Sequence, residues 1–347
     1  MERRELVVAV VGATGAVGRE MLSTLAERGF PADRVKAIAS PRSAGAPVPY
    51  GEGELTVEAL EERSFDGVSI ALFSAGSGIS REFAPIAVAA GAVVIDNSSA
   101  FRMEPDVPLV VPEVNGDHLR SVLAEVGPER GLLIANPNCS TIQLVVVLKP
   151  LHEAAGIRRV VVSTYQSVSG AGQKGMDELW EQTLGIFNQR EVEPKHFPRQ
   201  IAFNCIPHID VFLENGYTNE EMKIVRESRK ILGIPELRIT STAVRVPVFS
   251  CHAESVNVEL ERPLGPAKAR ELLRESPGIL VMDDTAEISY PLQRELAGSD
   301  ACYVGRVRRD ESVENGLDLW VVADNLRKGA ALNSIQIAEA VLDFRGR

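Results

Sequence analysis

Leu6-Val-Val-Ala-Val-Val11, followed at once by Gly12-Ala-Thr-Gly15-Ala-Val-Gly18, is the stretch whose reading decides the fold. Six apolar residues without alternation describe a strand buried on both faces, as in a parallel sheet. Arg19 to Arg28 then reads as a helix stopped by Gly29. Glycines spaced G-x-x-G-x-x-G between a strand and a helix are a variant of the dinucleotide fingerprint. Lacking Cβ atoms, they let the backbone of Gly12, Thr14, Gly15, Ala16 and Val17 approach a pyrophosphate at the helix N-terminus. A glycine loop alone also suits a plain tight turn; the strand before it and the helix after it favour a cofactor.

The next strand is Val35 to Ala39. A unit that prefers NAD carries Asp or Glu near the end of this strand, to hold the ribose 2′-hydroxyl. This chain has Ser40-Pro-Arg42-Ser43 instead, and a guanidinium with two hydroxyls suits a 2′-phosphate. The expected cofactor is therefore NADP; a solvated arginine in a turn is the plainer reading. The rhythm continues with a strand at Val68 to Phe73, the small-residue turn Ser74 to Gly78, a helix from Ile79 to Ala90, a strand at Ala92 to Ile95 and an apolar run from Gly131 to Ala135. Alternating strands and helices predict an α/β domain of the Rossmann type: a doubly wound parallel sheet with ligands beyond the strands' C-terminal ends.

After Lys149-Pro150 the texture changes. Arg159 to Ser169 is long and β-rich, closed by Gly170-Ala-Gly172, and a helix is expected from Lys174 to Leu184. Residues 190–209 read as loop, and strands return at Leu237 to Val246, Cys251 to Leu260, Gly278 to Met282 and Leu317 to Val322. Long strands with few helices predict an α+β domain on a mixed or antiparallel sheet. The expected boundaries are 1–138 for the first domain and 139–328 for the second. A last helix, about Gly329 to Phe344, carries apolar residues at helical spacing, so 329–347 is expected to complete the first domain.

Composition bounds the function. The 347 residues suit two domains, and 45% hydrophobic with 24% charged residues is ordinary for a globular chain. A net charge of −11 argues against a nucleic-acid surface, which needs basic patches. No apolar run reaches membrane-spanning length, and the N-terminus lacks a signal peptide's apolar core. Cys139, Cys205, Cys251 and Cys302 are scattered without metal-ligand spacing, so no metal and a reduced, cytoplasmic setting are expected.

Chemistry concentrates in a few places. Ala135-Asn-Pro-Asn138-Cys139-Ser-Thr141 ends an apolar run, turns at a proline and opens a helical segment. At a helix start, free amides and the dipole favour a thiolate and can hold an oxyanion. Cys139 is thus a candidate nucleophile, with a buried structural cysteine as the commoner alternative. Thr218-Asn-Glu-Glu221 is a capping box that occupies Glu221. Glu220 and Lys223, three apart, share a helix face; they can pair with each other or receive an amino group and an anion. His252 lies on the strand face of Val256 and Val258, either as a satisfied core residue or as acid and base for a thiol. Arg102, after Asp96-Asn-Ser-Ser, stands near the same rim as Cys139, although an isolated arginine is usually a surface charge.

These motifs occur in one order: the Gly12 to Gly18 loop, Asn136-Pro-Asn-Cys139-Ser-Thr141, Tyr165-Gln166-Ser-Val-Ser-Gly-Ala-Gly172, the Glu220/Lys223 helix, Arg245-Val-Pro-Val-x-x-x-His252 and Asp324-Asn325-Leu-Arg-Lys-Gly329. Together they closely resemble the bacterial aspartate-β-semialdehyde dehydrogenase family over essentially the whole chain. The resemblance implies NADP-dependent reduction of L-aspartyl 4-phosphate to the semialdehyde, with release of phosphate, in the biosynthesis of lysine, methionine and threonine. It implies a Cys139 thioester, oriented by Gln166 and resolved with help from His252. It places Arg245 on the substrate carboxylate, Glu220 on its amino group, and Arg102, Asn138 and Lys223 on phosphate. Ser169, Gly170 and Asn325 join the cofactor site. The second domain becomes the catalytic and dimerisation domain of a homodimer, with dimer versus tetramer left open. Two rivals are an N-acetyl-γ-glutamyl-phosphate reductase, whose blocked amine has no use for Glu220, and a non-catalytic paralogue, which should have lost Cys139 or His252.

Overall fold

The computed structural model describes residues 5–127 and 130–346, and the chain divides into two compact units, 1–138 with 330–347 and 139–329.

In the first unit β1 (Val7–Val11) leads through the glycine loop to α1 (Ala16–Glu27). Then come β2 (Arg34–Ala39), the hairpin β3 (Pro47–Tyr50) and β4 (Gly53–Thr56), the short β5 (Glu58–Ala59), β6 (Ile70–Phe73), α2 (Ser77–Ala89), β7 (Val93–Asp96), α3 (Pro112–Val126) and β8 (Leu132–Ala135). The six-stranded sheet runs β5-β2-β1-β6-β7-β8, and every pairing in it is parallel. Its central strands β1, β6 and β7 are entirely buried because both faces of the sheet are covered there. The α1 helix starts at Ala16, earlier than the expected Arg19, because the glycine loop turns directly into it.

The second unit opens with α4 (Cys139–Ala155) and β9 (Ile157–Gln166), followed by α5 (Gln173–Phe187), α6 (Asn219–Leu232), β10 (Arg238–Arg245), β11 (His252–Leu260), α7 (Pro266–Glu275), β12 (Ile279–Val281), β13 (Cys302–Asp310) and β14 (Gly316–Ala323). Its sheet order is β10-β9-β11-β14-β13-β12, mixed: β10 and β9 are parallel, whereas β11 is antiparallel to both β9 and β14. The α4 helix is buried nearly all round and packs on α6 and on β9, β11 and β14; it runs on through Pro150 to Ala155. The chain then returns to the first unit as α8 (Leu332–Phe344), whose Ile335, Ile337, Ala338, Val341 and Leu342 join the core of Val8, Val10, Leu22 and Ile95. Among the described residues no helix is long and apolar enough to cross a membrane.

Candidate active site

One row of residues crosses the end of the second unit's sheet. Arg245 on β10 pairs in register with Gln166 on β9, Gln166 with His252 on β11, and His252 with Ala323 on β14. Residues directly opposite in a sheet share a face, so Arg245, Gln166 and His252 project together. All three are buried, with 7%, 1% and 0% exposure. The α6 helix brings a fourth group: Gln166 Nε2 donates to Glu220 Oε1 at 3.3 Å. The predicted capping box sets the pitch of that helix, since Glu221 N–H donates to Thr218 Oγ1 and Thr218 N–H to Glu221 Oε2.

Glu220 and Lys223 do pair, at 3.2 Å, but Lys223 also donates to Asp210 at 2.7 Å. Burial works against the Lys223 ammonium, yet Glu220 and Asp210 more than offset it, and its pKa rises. Burial also opposes the Asp210 carboxylate, while Lys223, the Val211 amide and Asn219 favour it, with a net lowering. Burial pulls the Arg245 guanidinium below its ordinary value, against the favourable charges of Glu220 and Cys139. Arg245 Nη1 donates to the Ser167 carbonyl at 2.7 Å, which fixes one edge of its fork.

His252 is held from behind. Its Nδ1 accepts the Ser167 backbone N–H at 3.1 Å. Ser167 Oγ lies 3.2 Å from the same nitrogen, and Ser167, Ser169 and Asn325 bond to one another at 3.0–3.1 Å. The structure thus puts Ser169 and Asn325 in a buried network behind His252. Gly170 lies against His252 and Arg245: a Cβ there would stand 3.2 Å from His252 Nε2 and 2.9 Å from Arg245 Nη1. Cys251, just before His252, has φ +66°, a left-handed conformation uncommon for a residue with a Cβ. Burial, then the Arg245 charge, push the His252 pKa down to about 3, opposed by Glu220 and the Cys251 carbonyl.

Cys139 is the first residue of α4 and is partly exposed. Gly329 packs directly on it; a Cβ at 329 would fall 2.9 Å from the Cys139 Cβ.

In the first unit, Arg102 is not a surface charge: it is 7% exposed, donating from Nε to the Asn136 carbonyl and from Nη2 to the Asn97 carbonyl, both at 2.9 Å. Asn136 is itself clamped by Asn97 and Asn333, so the turn before Asn138 and Cys139 is rigidly built. The glycine loop fits a pyrophosphate. Gly12 has φ +90°, a Cβ on Gly18 would collide with the Gly12 carbonyl at 2.1 Å, and α1 has Gly15 as its N-cap with no side-chain cap on its amides. Ser40, Arg42 and Ser43 form a turn straight after β2, with Arg42 exposed.

Residues 7–122 match the family described as semialdehyde dehydrogenase, NAD binding domain, and residues 148–328 match semialdehyde dehydrogenase, dimerisation domain. The aspartate-semialdehyde dehydrogenase of Aquifex aeolicus (strain VF5) is 51% identical over 337 residues, covering 96% of this chain and 97% of that protein. The enzyme of Bacillus subtilis (strain 168) is 49% identical over 346 residues, covering 97% and 98%. The chain belongs to the aspartate-semialdehyde dehydrogenase family. Among solved structures, aspartate semialdehyde dehydrogenase II from Vibrio cholerae, complexed with ASA, superposes with a TM-score of 0.92 at 48% identity, covering 98% of this chain and 99% of that one. The Candida albicans enzyme with NADP gives 0.78 at 25% identity, covering 98% and 99%. The family assigns this chain an oxidoreductase activity on a nicotinamide cofactor, and the dimerisation-domain match supports a homodimer.

Two groups at the centre escaped the sequence reading. Asp210 sits in a loop at φ +69° and no motif marks it. Ser167 acts at His252 through its backbone amide, which no side chain advertises.

Proposed function

We propose that this protein interconverts L-aspartyl 4-phosphate and L-aspartate 4-semialdehyde with NADP, through a thioester on Cys139. The observation that carries the reading is the buried row Arg245-Gln166-His252 with Glu220 beside it. A carboxylate, an amine and an acyl carbonyl each find a complementary group there. Arg245 takes the substrate carboxylate as a two-pronged donor, one edge of its fork being anchored already by Ser167. Glu220 takes the ammonium, and Gln166, held between Glu220 and Thr164, orients the acyl group.

The Cys139 thiolate displaces phosphate from the acyl phosphate, forming the thioester and releasing phosphate toward Arg102, Asn138 and Lys223. A thioester is a good hydride acceptor, which a carboxylate is not. The nicotinamide, when bound, supplies or takes the hydride. Gly12, Thr14, Gly15, Ala16 and Val17 would hold its pyrophosphate, Ser40, Arg42 and Ser43 its 2′-phosphate, and Ser169, Gly170 and Asn325 the end that faces His252. Lys223 already donates to two carboxylates, and the third hydrogen of its ammonium remains to meet phosphate.

The working form is a homodimer built through the second unit, 139–328 in domain terms. Of the large apolar residues exposed among the described ones, all but Met103 and Phe344 lie in that unit, with Phe187 and Ile288 more than 70% exposed. The test is a spectrophotometric assay of NADP reduction with aspartate semialdehyde. Activity that requires phosphate is expected; reduction that proceeds equally without phosphate would overturn the reading.

A further inference from the structure

A segment without regular structure, residues 291–300, backs the row Arg245-Gln166-His252. Side chains alternate along a strand, so Tyr165, Cys251, Ala253, Trp320 and Val322 project from the face of the sheet opposite to that row. The segment is pinned to this face at several points. Trp320 Nε1–H donates to the Pro291 carbonyl at 3.1 Å, and Leu296 packs in a buried cluster with Cys251, Ala253 and Val322. The Gly298 amide donates to Asp324 Oδ2 at 2.8 Å, beside Asn325.

Gln293 lies between these points, and its amide nitrogen makes two bonds. Nε2 donates to the Tyr165 carbonyl at 3.0 Å and to the Cys251 carbonyl at 2.7 Å. Both neighbours can only accept, so the nitrogen of the amide, not its oxygen, must face them, and both of its hydrogens are used. Tyr165 is the residue before Gln166, and Cys251 is the residue before His252. One side chain therefore ties the two backbone positions from which the paired Gln166 and His252 leave the sheet. Cys251 is where such a tie matters. Residues 246–249 run bonded along 166–169, and at Cys251 the chain turns into β11 with φ +66°. A residue with a Cβ keeps a left-handed backbone only where its surroundings over-determine it, and cysteine lacks the short amide or carboxylate that offsets the strain in Asn or Asp.

Resting on the function given above, in which that row meets the substrate, we propose that Gln293 is a positioning residue for the reaction. By bridging the Tyr165 and Cys251 carbonyls it holds Cys251 in the left-handed conformation and so sets the direction in which Gln166 and His252 project. Gln293 itself reaches neither substrate nor cofactor, because it bonds the sheet from the other face. Without the bridge the Cys251 backbone relaxes toward negative φ, and His252, next along the chain, turns with it. The loss then falls on the alignment of reacting groups, not on the fold of the unit, whose sheet keeps its register through β9, β11 and β14.

A double-mutant cycle on the full chain tests this, with Gln293→Ala, Cys251→Gly and the pair assayed for phosphate-dependent NADP reduction. Gln293→Ala should lose roughly tenfold to a hundredfold in kcat, the scale of a misplacement of about 1 Å, with KM for NADP little changed. Glycine adopts a positive φ without strain, so in the Cys251→Gly background the same substitution should cost roughly fivefold less or better. A Gln293→Ala variant as fast as wild type, or an equal loss in both backgrounds, would overturn the proposal. Gln293→Glu keeps the shape but sets carboxylate oxygens against the two carbonyls, so it covers the case in which the Ala variant does not fold. It should be at least as slow as expected for Ala, and wild-type kcat in it would refute the bridge. Carbon NMR of protein labelled with 13C-cysteine reads the backbone apart from turnover. The chain has four cysteines, and the Cys251 signals are identified by their loss in Cys251→Gly. Those signals should move in the Gln293 variants; Cα and carbonyl shifts that stay in place would show that Gln293 does not hold Cys251. Wild-type protein that does not turn over aspartate semialdehyde at all would instead overturn the reaction, while the NMR result would still decide whether the bridge holds Cys251.

Discussion

Replacing Glu254 by Gln should stabilise the second unit at alkaline pH, by an amount that grows with pH. Glu254 lies two residues beyond His252 on the same face of β11, opposite Thr164 on β9 and Val321 on β14. It is completely buried, and neither carboxyl oxygen has a hydrogen-bond partner among the described residues. Burial therefore pushes its carboxyl well above the usual range; the nearby Gln143 amide, outside hydrogen-bonding geometry, pulls weakly the other way. In the unfolded chain the same group ionises near its ordinary value of 4.5. Above that pH the folded state holds a proton that the unfolded state has lost, so stability falls as pH rises. The slope is about 1.4 kcal/mol per pH unit, and it ends where the buried carboxyl itself ionises. A Gln side chain has nearly the same shape and no proton to lose, so its advantage over Glu should widen by that slope. Urea unfolding at several pH values, followed by tryptophan fluorescence, measures it. The chain has two tryptophans, Trp180 and Trp320, and both lie in the second unit, so the signal reports that unit alone. Stability curves for the two proteins that run parallel across pH would refute the argument. A variant that loses ground as pH rises would show that the carboxylate is charged and paired.

Cys139→Ser should abolish turnover while cofactor binding persists; mass spectrometry after incubation with acyl phosphate should find the acyl group on Cys139 in the wild type, and an adduct elsewhere would count against it. Arg42→Ala should raise KM for NADP far more than for NAD, and an equal response would mean the 2′-phosphate is read elsewhere. Arg245→Lys keeps the charge but loses the planar fork, so semialdehyde affinity should drop by about 1.5–3 kcal/mol, roughly tenfold to a hundredfold. Arg102→Ala should weaken phosphate instead, and a reversed pattern would exchange the two sites. Asp210→Asn releases Lys223 from its shortest ion pair and should lower KM for phosphate; a raised KM would show that Asp210 holds Lys223 in position.

What could be read in advance was whatever depends on local backbone chemistry. Gly12 and Gly18 stand where contacts exclude a Cβ, and the Thr218 capping box is satisfied within four residues. The position of Cys139 at a helix start follows from a proline turn and the apolar run after it. Features that depend on distant partners were not legible. Arg102 looks like an isolated charge because its acceptors are carbonyls at 97 and 136, whose burial no side chain encodes. The β13 strand was missed because Gly305, Arg306, Arg308 and Arg309 break its apolar alternation; the structure absorbs them in a register shift where Arg306 has φ +55°. The row Arg245-Gln166-His252 comes from three segments whose register is set only by pairing β9 with both β10 and β11.

The late return of the chain to its first unit has a consequence for synthesis. Between the end of β8 at Ala135 and the start of α8 at Leu332 the ribosome adds 197 residues, the difference of the two positions. At ordinary elongation rates that interval lasts about 10–40 s. Through it, the apolar surface that Ile335, Ile337, Ala338, Val341 and Leu342 will cover has no partner from its own chain. The second unit has no such gap in its sequence and can close first, although it is made later. Nascent chains arrested before Leu332 should therefore bind a hydrophobic-surface chaperone through the first unit, and release should coincide with emergence of the last helix.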